Sequence, residues 1–444
     1  MFFRSIPMYY LLLKERGFMM NTELLIEKLQ HQEFDNKLLD IYVDEKLLAY
    51  QKDRYVKAVR KFEELYGTGN VNIFSAPGRS EVGGNHTDHQ HGTVLAASIN
   101  LDSIAVVRAA DDNVIRLVSD ESKEIVISLD DISLREEEKG TTTALIKGVV
   151  SEFLNRQYKV GGFSAYVTSD VLIGAGLSSS AAFETLIGTI LSGLYNEMRV
   201  NAIEIAIIGQ YAENVYFGKP CGLMDQMACS VGNLVYIDFA VPSEPIVEKV
   251  EFDMEQYGYS LCITDTKGSH ADLTDEYAAV PKEMKLVAGH FGKEVLRGIT
   301  ITDIFNEISN LRAQFGDRSV LRALHFINEN ERAGQEAEAL KNGDFEQFLQ
   351  CVKASGDSSY KYLQNVYANS DVTSQNVSIA LAASDAVLKN DGVSRVHGGG
   401  FAGTIQAFVK NSKVEEYKKS MDLIFGEHSC SALRIRKYGG IQVM

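Results

Sequence analysis

Residues 174 to 182 read Gly-Ala-Gly-Leu-Ser-Ser-Ser-Ala-Ala, and Phe183 to Leu194 behind them carry apolar side chains at helical spacing. A glycine-rich loop that runs straight into a helix constrains this chain more than any other stretch. Glycines let the backbone pass close to an anion, so that successive N–H groups point at it, and the helix N-terminus adds a partial positive charge. Gly174, Ala175, Gly176, Leu177, Ser178, Ser179, Ser180 and Ala181 are therefore the candidate phosphate cradle. Its three hydroxyls can reach phosphate oxygens or a metal. No Gly-Lys-Ser/Thr closes the loop, so it is not a Walker A sequence. The third glycine of a dinucleotide fingerprint is missing as well.

A chain of 444 residues suggests two or three domains with ample core. The formal charge of −16 argues against a nucleic-acid partner, which needs a basic face. A local nest of N–H groups still binds phosphate in an acidic protein. Cys221, Cys229, Cys262, Cys351 and Cys430 are scattered without CxxC spacing, which points to reduced thiols and a cytoplasmic protein. Met1 to Leu13 holds an apolar patch, Tyr9-Tyr10-Leu11-Leu12-Leu13, too short to cross a bilayer. We read it as an over-long translation start or a disordered tail, with the true start near Met19 or Met20; a secretory signal is the alternative. No other stretch is long enough for a membrane helix, so no membrane partner is expected.

The apolar pattern predicts amphipathic helix over residues 22 to 50 and a helix from Arg54 to Tyr66 that Gly67 stops. A short strand over Asn70 to Ser75 leads into a glycine-rich loop, Ala76 to Gly92. Strands follow near 94–100, 103–109, 114–118 and 124–128, then a helix over 143–155 and a strand from Phe163 to Thr168. In the second half Leu261 to Thr266 reads as a buried strand. Pro281 to Lys293, Val320 to Asn342, 345–353 and 371–389 read as helices, and Arg395 to Lys410 as strand, glycine turn, strand. This irregular alternation suggests α+β layers rather than a doubly wound parallel sheet. The run Arg135-Glu136-Glu137-Glu138-Lys139 reads as a solvated loop.

Three further constellations carry chemistry. Gly78-Arg79-Ser80-Glu81-Val82-Gly83-Gly84-Asn85-His86-Thr87-Asp88 crowds polar groups into a glycine-rich stretch. Arg suits phosphate or charge that develops on transfer, and His86 and Asp88 can bond vicinal hydroxyls of a small polyol. The plain alternative is a turn with a capping Asp. Glu213 sits on an apolar helix, and Asp225 follows in Pro220-Cys221-Gly222-Leu223-Met224-Asp225-Gln226, flanked by apolar residues. A part-buried carboxylate needs a partner or a task; a helix cap is the alternative, favoured on the residues alone. Val396-His397-Gly398-Gly399-Gly400-Phe401-Ala402-Gly403 allows close backbone approach, or is a bulged hairpin turn. A lone His beside glycines is most simply exposed.

Together and in this order, these segments resemble the GHMP small-molecule kinase superfamily and, within it, the galactokinases. Ala76-Pro77-Gly78-Arg79 with His86-Thr87-Asp88 at the expected offset looks like the galactokinase signature. Ile173 to Ala182 matches the second motif. Lys219 to Gln226 resembles Met-Pro-Cys-Gly-Ile-Met-Asp-Gln. Lys147-Gly148-Val149 and a helix bearing Arg322, His325, Glu329 and Arg332 are similar too. The resemblance runs from about Arg54 to the C-terminus. It departs where the first motif usually reads Arg-Val-Asn-Leu-Ile-Gly-Glu-His-Thr-Asp-Tyr: Asn85 stands at the Glu, and His89 at the Tyr.

The resemblance implies an α+β, two-domain GHMP kinase fold with the active site between the domains. Residues 1–50 would be an N-terminal extension, 51–245 the N-terminal mixed-sheet domain and 246–444 the C-terminal α+β domain. It implies ATP bound by the Gly174–Ala181 loop and Mg²⁺ held by Ser180 and Glu213. Asp225 would lie beside the anomeric hydroxyl of a sugar, to accept its proton or orient it, and Arg79 between Asp225 and the γ-phosphate. Asn85, His86, Asp88, Gly222 and Tyr277 match sugar-contacting positions. The implied reaction is galactose and ATP to galactose 1-phosphate and ADP, by a monomer or small homo-oligomer. The alternatives are a GHMP kinase for another sugar such as N-acetylgalactosamine, and a sugar sensor without turnover. The intact Ser179-Ser180-Ala181, with Arg79 and Asp225 both present, disfavours the sensor.

Overall fold

The computed structural model describes residues 19–120, 122–171, 176–269, 273–369 and 371–444. The apolar patch before Leu13 and the start of the phosphate loop, Gly174 and Ala175 included, lie outside them.

Nine strands form the larger sheet. β1 (Met20–Asn21), β2 (Asn70–Gly83) and β3 (Thr93–Ala109) pair antiparallel, and β3 continues to β6 (Phe163–Ser169). β6 runs parallel to β4 (Val114–Ser119), which pairs with β5 (Ile125–Ser128). The other end of β3 pairs with β7 (Leu234–Asp238), and β7 with β8 (Ile246–Val250). The chain's last strand, β13 (Ile441–Gln442), returns to β2. The second sheet is antiparallel, in the order β10 (Gly392–His397), β11 (Thr404–Lys410), β9 (Tyr259–Asp265), β12 (Cys430–Leu433).

Side chains alternate across β3 with the period of a strand, and both faces are covered. Ile104 and Val106 meet α1 (Thr22–Gln30), α2 (Asp35–Tyr42) and α3 (Leu48–Tyr66) through Leu25, Leu29, Tyr42, Tyr55 and Phe62. Ala105 and Val107 meet α4 (Thr142–Asn155), α5 (Ser179–Asn196) and α6 (Ala202–Tyr211) through Val149, Ile190 and Ile208. α7 (Met224–Val231) packs where β3 and β7 pair. Next come α8 (Thr274–His290), α9 (Ile301–Asn306), α10 (Ile308–Phe315) and α11 (Asp317–Lys341), which share a core around Met284, Ile304, Leu311 and Ala323. α12 (Phe345–Ser358) covers one face of the second sheet, and α13 (Asn376–Leu388) and α14 (Val414–Phe425) cover the other. One apolar core, with Val82, Leu95 and Ile99 from the first sheet and Leu261, Ile263 and Phe408 from the second, joins the two. No described helix is long and apolar enough to cross a membrane.

Several boundaries differ from the sequence expectation, three of them with a physical reason that the structure shows. The strand expected to end at Ser75 runs to Gly83, with register shifts at Pro77/Arg79 and Glu81/Gly83 that absorb the proline. The glycine-rich loop is therefore shorter and begins at Gly84. The two strands expected near 94–100 and 103–109 are one. Asp102 does not break it, because Arg54, Arg436 and Tyr42 donate to its carboxylate at 2.7, 2.8 and 2.9 Å, and Ser75 donates as well. Asn100 is likewise satisfied, by Arg434 N at 2.9 Å and Tyr42 O at 3.1 Å. Polar residues met by distant segments cost a strand little. The third difference is Pro281, which lies inside α8 rather than opening it.

Candidate active site

The phosphate loop enters α5 through two left-handed residues, Gly176 at φ 67° and Ser178 at φ 57°. Ser178 is the residue before the helix, and its hydroxyl donates to Asp225 rather than capping α5. Leu177 is buried, and its carbonyl accepts the Arg79 N–H at 3.1 Å. β2 thereby holds the loop and supplies the arginine at one point.

Arg79 grips Asp225 with both prongs of its guanidinium, Nε to Oδ1 at 2.7 Å and Nη2 to Oδ2 at 2.8 Å. Its third nitrogen, Nη1, donates to the Gly176 carbonyl. Asp225 lies in the first turn of α7, where the helix dipole favours an anion. The residue before that helix is Leu223, so Asp225 is not its cap. Burial pushes the Asp225 pKa up, but the Arg79 charge and the hydrogen bonds from Arg79 and Ser178 outweigh it and hold the carboxylate below the usual range. Its side chain keeps 31 % exposure against 8 % for Arg79, so Asp225 is the more accessible member of the pair.

Glu213 sits on the widened turn Ala212–Phe217 that ends α6. Its Oε1 accepts from Ser180 Oγ at 3.1 Å and Lys219 Nζ at 3.0 Å, and Oε2 accepts from Gln226 Nε2 at 2.7 Å. The same Gln226 nitrogen reaches Glu184 Oε2 at 3.0 Å. Glu184 went unnoticed in the sequence, although it lies on α5 shortly after Ser180. Burial and the nearby Glu213 charge push its carboxyl well up. Ser180 and Glu213 offer hydroxyl and carboxylate oxygens, which suit Mg²⁺. Among the described residues no cluster of three or more His, Cys, Asp or Glu forms a metal cage.

The sugar-contacting candidates divide into two groups. Asp88 packs directly on Gly222, where a Cβ would stand 2.1 Å from Asp88 Oδ2. A cleft of about 180 Å³ opens beside them, with Gln210, Leu223 and Phe239 on its walls. His86 and Tyr277 lie together at the glycine turn, His86 Nε2 donating to Gly399 O at 3.1 Å and Tyr277 Oη to Gly400 O at 2.8 Å. Burial pushes the His86 pKa down to about 4, so the ring is neutral, with Nδ1 as acceptor. Asn85 differs from the expectation. It is fully buried, and its amide bonds only to the protein, so it has no position open to a sugar hydroxyl.

His397, expected to be exposed, is 2 % exposed. Glu81 N–H donates to its Nε2 at 3.2 Å, which leaves the proton on Nδ1 to meet Thr404 Oγ1 at 2.9 Å. Lys147 reaches Glu138 at 2.7 Å, so the acidic run 135–139 is not wholly solvated. On α11, His325 Nε2 donates to Asn85 O at 3.0 Å and Glu329 accepts from the N–H groups of Gly84 and Asn85. That helix buttresses the loop from behind.

The GHMP kinases N terminal domain family matches residues 144–233, and the galactokinase galactose-binding signature matches residues 60–109. A galactokinase of Actinobacillus pleuropneumoniae serotype 5b is 30% identical over 373 residues, covering 82% of this chain and 91% of the relative. A Lactobacillus helveticus galactokinase is 30% identical over 376 residues, covering 83% and 93%. The crystal structure of Lactococcus lactis galactokinase complexed with galactose superposes with a TM-score of 0.73 at 24% identity, over 86% of this chain and 98% of that one. A mevalonate kinase superposes at 0.58 and 17% identity, over 82% and 99%. Those two likenesses bear out the α+β GHMP kinase fold, and the sequence matches show that the chain is a kinase-type phosphotransferase belonging to the galactokinase family.

Proposed function

We propose that the protein transfers the γ-phosphoryl group of ATP to the anomeric hydroxyl of galactose, giving galactose 1-phosphate and ADP. The observation that carries this reading is the two-pronged Arg79–Asp225 pair at the mouth of the Ser178–Ser180 helix N-terminus. The anomeric oxygen attacks the γ-phosphorus while the bond from that phosphorus to the bridging oxygen of ADP breaks, and the hydroxyl proton passes to an Asp225 oxygen. Arg79 keeps Asp225 ionised until then and offers its positive charge to the transferring group. Phosphoryl transfer needs little more than positioning and charge stabilisation.

Ser180 and Glu213 would hold Mg²⁺, which when bound neutralises phosphate charge. Lys219, whose side chain is 62% exposed, shares the Glu213 oxygen and can swing away from it. Gly176 to Ala181 would cradle the phosphates, and Gly174 and Ala175 are expected to continue that cradle. Arg79, His86, Asp88, Gly222, Asp225 and Tyr277 would surround the sugar. The free cysteines fit a reducing cytoplasm.

The cleft beside Asp88 and Gly222 favours one second reading, a kinase for an N-acetylated hexosamine, because a substituent has room there. Coupled ADP release with ATP and Mg²⁺ against galactose, N-acetylgalactosamine, glucose, mannose and arabinose tests both. Turnover with galactose as the best substrate supports the first reading, preference for N-acetylgalactosamine the second. No turnover with any of them defeats both.

A further inference from the structure

Asn85 is 0% exposed, and an amide has two N–H donors and two acceptor lone pairs. All four are taken. Nδ2 donates to Glu81 Oε1 at 2.9 Å and to Gly398 O at 2.8 Å. Oδ1 accepts from Asn365 Nδ2 at 2.9 Å and Ser359 Oγ at 3.3 Å. Glu81 in turn pairs with the buried Arg395 at 2.6 Å. In the signature that this stretch resembles, the earlier residue of the pair is the amide and the later one the acid. Here the order is reversed, and the two side chains bond to each other.

The glycine turn between β10 and β11 is where these contacts converge. Three successive carbonyls accept from three sugar-site candidates: Gly398 from Asn85, Gly399 from His86, and Gly400 from Tyr277. Asn365 adds a second bond to Gly399 O at 3.2 Å. Gly398 and Gly400 have left-handed φ of +68° and +80°, and a Cβ at Gly399 would stand 2.9 Å from the Tyr277 ring. The turn is therefore the ruler against which His86 and Tyr277 are set, and Asn85 holds its first carbonyl.

We infer that Asn85 is a positioning residue for the acceptor sugar, whose buried amide clamps the Gly398–Gly400 turn so that His86 and Tyr277 face the sugar at fixed places. This rests on the sugar-kinase reading above. A carboxylate at residue 85 cannot donate to Gly398 O. It would set oxygen against oxygen there, and acid against acid at Glu81.

The test uses the full chain with Asn85→Asp, Glu81→Gln and the two combined, measuring the KM for galactose, the KM for ATP, kcat and the thermal midpoint. Asn85→Asp should raise the sugar KM about tenfold or more, leave the ATP KM within about twofold, and lower the midpoint. In the double variant the new amide at position 81 donates to the new acid at position 85. The cluster again holds a single acid, bonded to the amide at position 81 rather than set against a second acid, so the midpoint should recover. Gly398 O still lacks its donor, so the sugar KM should stay high. A sugar KM that is unchanged in Asn85→Asp, or that recovers along with the midpoint, overturns the inference. So does an Asn85→Glu chain with a lower sugar KM, since residue 85 would then be a sugar contact. If the wild-type chain turns over galactose and the variants behave in one of these ways, only this inference fails. If it turns over no sugar, the kinase reading fails first and the inference with it.

Discussion

The proposed phosphate side and the proposed sugar side of the site are built on different physics. On the phosphate side, charges face one another and keep some reach. Asp225 is 31 % exposed beside Arg79, and Glu213 holds the largely exposed Lys219. On the sugar side, neutral groups interlock around the buried Glu81–Arg395 ion pair. Asn85 is saturated, and His86, His325 and His397 all have pKa values pushed down, first of all by burial. The difference teaches that the charged side is arranged to accept ligands that bring charge of their own. The neutral side is assembled before the substrate arrives, and a precise hydrogen-bonding pocket requires that. Substitutions on the first side should change rate and metal dependence. Changes on the second should act on sugar affinity and stability.

The largest effect is expected at Asp225. Asp225→Asn should lower kcat about a hundredfold or more, while calorimetry still shows sugar binding, because the group that takes the proton is gone and the pocket stays. Near-normal turnover would remove Asp225 from the mechanism. Ser180→Ala comes next. The loss of one oxygen ligand should shift the rate-versus-free-Mg²⁺ curve to roughly tenfold higher metal, since ligands around a site typically contribute 10–100-fold. An unchanged curve would make Ser180 part of the helix start and nothing more.

The third test is acid titration, aimed at the neutral side. Depressed below its unfolded value of 6.5 to about 4, the His86 pKa makes the folded state bind fewer protons than the unfolded one. The stability from keeping the ring neutral is full above pH 6.5 and is lost as pH falls toward 4. For His86 that amounts to about 2–3 kcal/mol, after a discount for solvent screening of a residue that is not fully buried. His325 and His397 act in the same direction. The thermal midpoint should therefore fall across that window, and His86→Asn, which tolerates the left-handed φ of 60° found at this residue, should flatten the slope. An equally steep slope in the variant would place the acid sensitivity elsewhere. The smallest effect is expected from a chain that starts at Met20: its midpoint and turnover should match the full chain. A sharp drop in the midpoint would show that the first residues pack on the core.

The comparison also separates what was legible from what was not. Arg79 apart, the proposed phosphate side falls within residues 174 to 226 of the sequence. Ser178 to Ser180, the Glu213 helix and the Cys-Gly-Leu-Met-Asp segment each carry their own local signal, and the structure brings Ser180 to Glu213 and Arg79 to Asp225. Glu184 is the one charged residue on α5, a helix buried nearly all round, and that apolar setting was the signal that could have found it. On the sugar side the surroundings of Asn85 were not legible. Its motif position argued for an exposed contact, but its four partners come from residues 81, 359, 365 and 398. His397 was misread for the same reason, since Ser80, Glu81 and Thr404 enclose it.

By itself the sequence determined the elements with short-range causes. Helix spacing, the Gly67 stop, the serine loop opening a helix and the glycine turn of the last hairpin all follow from local periodicity and backbone freedom. Only the tertiary structure decided which polar residues are solvated and which are spent inside. Asp102 keeps β3 whole because Arg54 arrives from α3 and Arg436 from near the C-terminus. Asn85 is buried because the glycine turn of the second sheet and the chain that follows α12 close over it. The physical reason is the same in both places: a buried polar group is tolerated where its partners are, and Arg436 for Asp102 and Ser359, Asn365 and Gly398 for Asn85 lie hundreds of residues away along the chain.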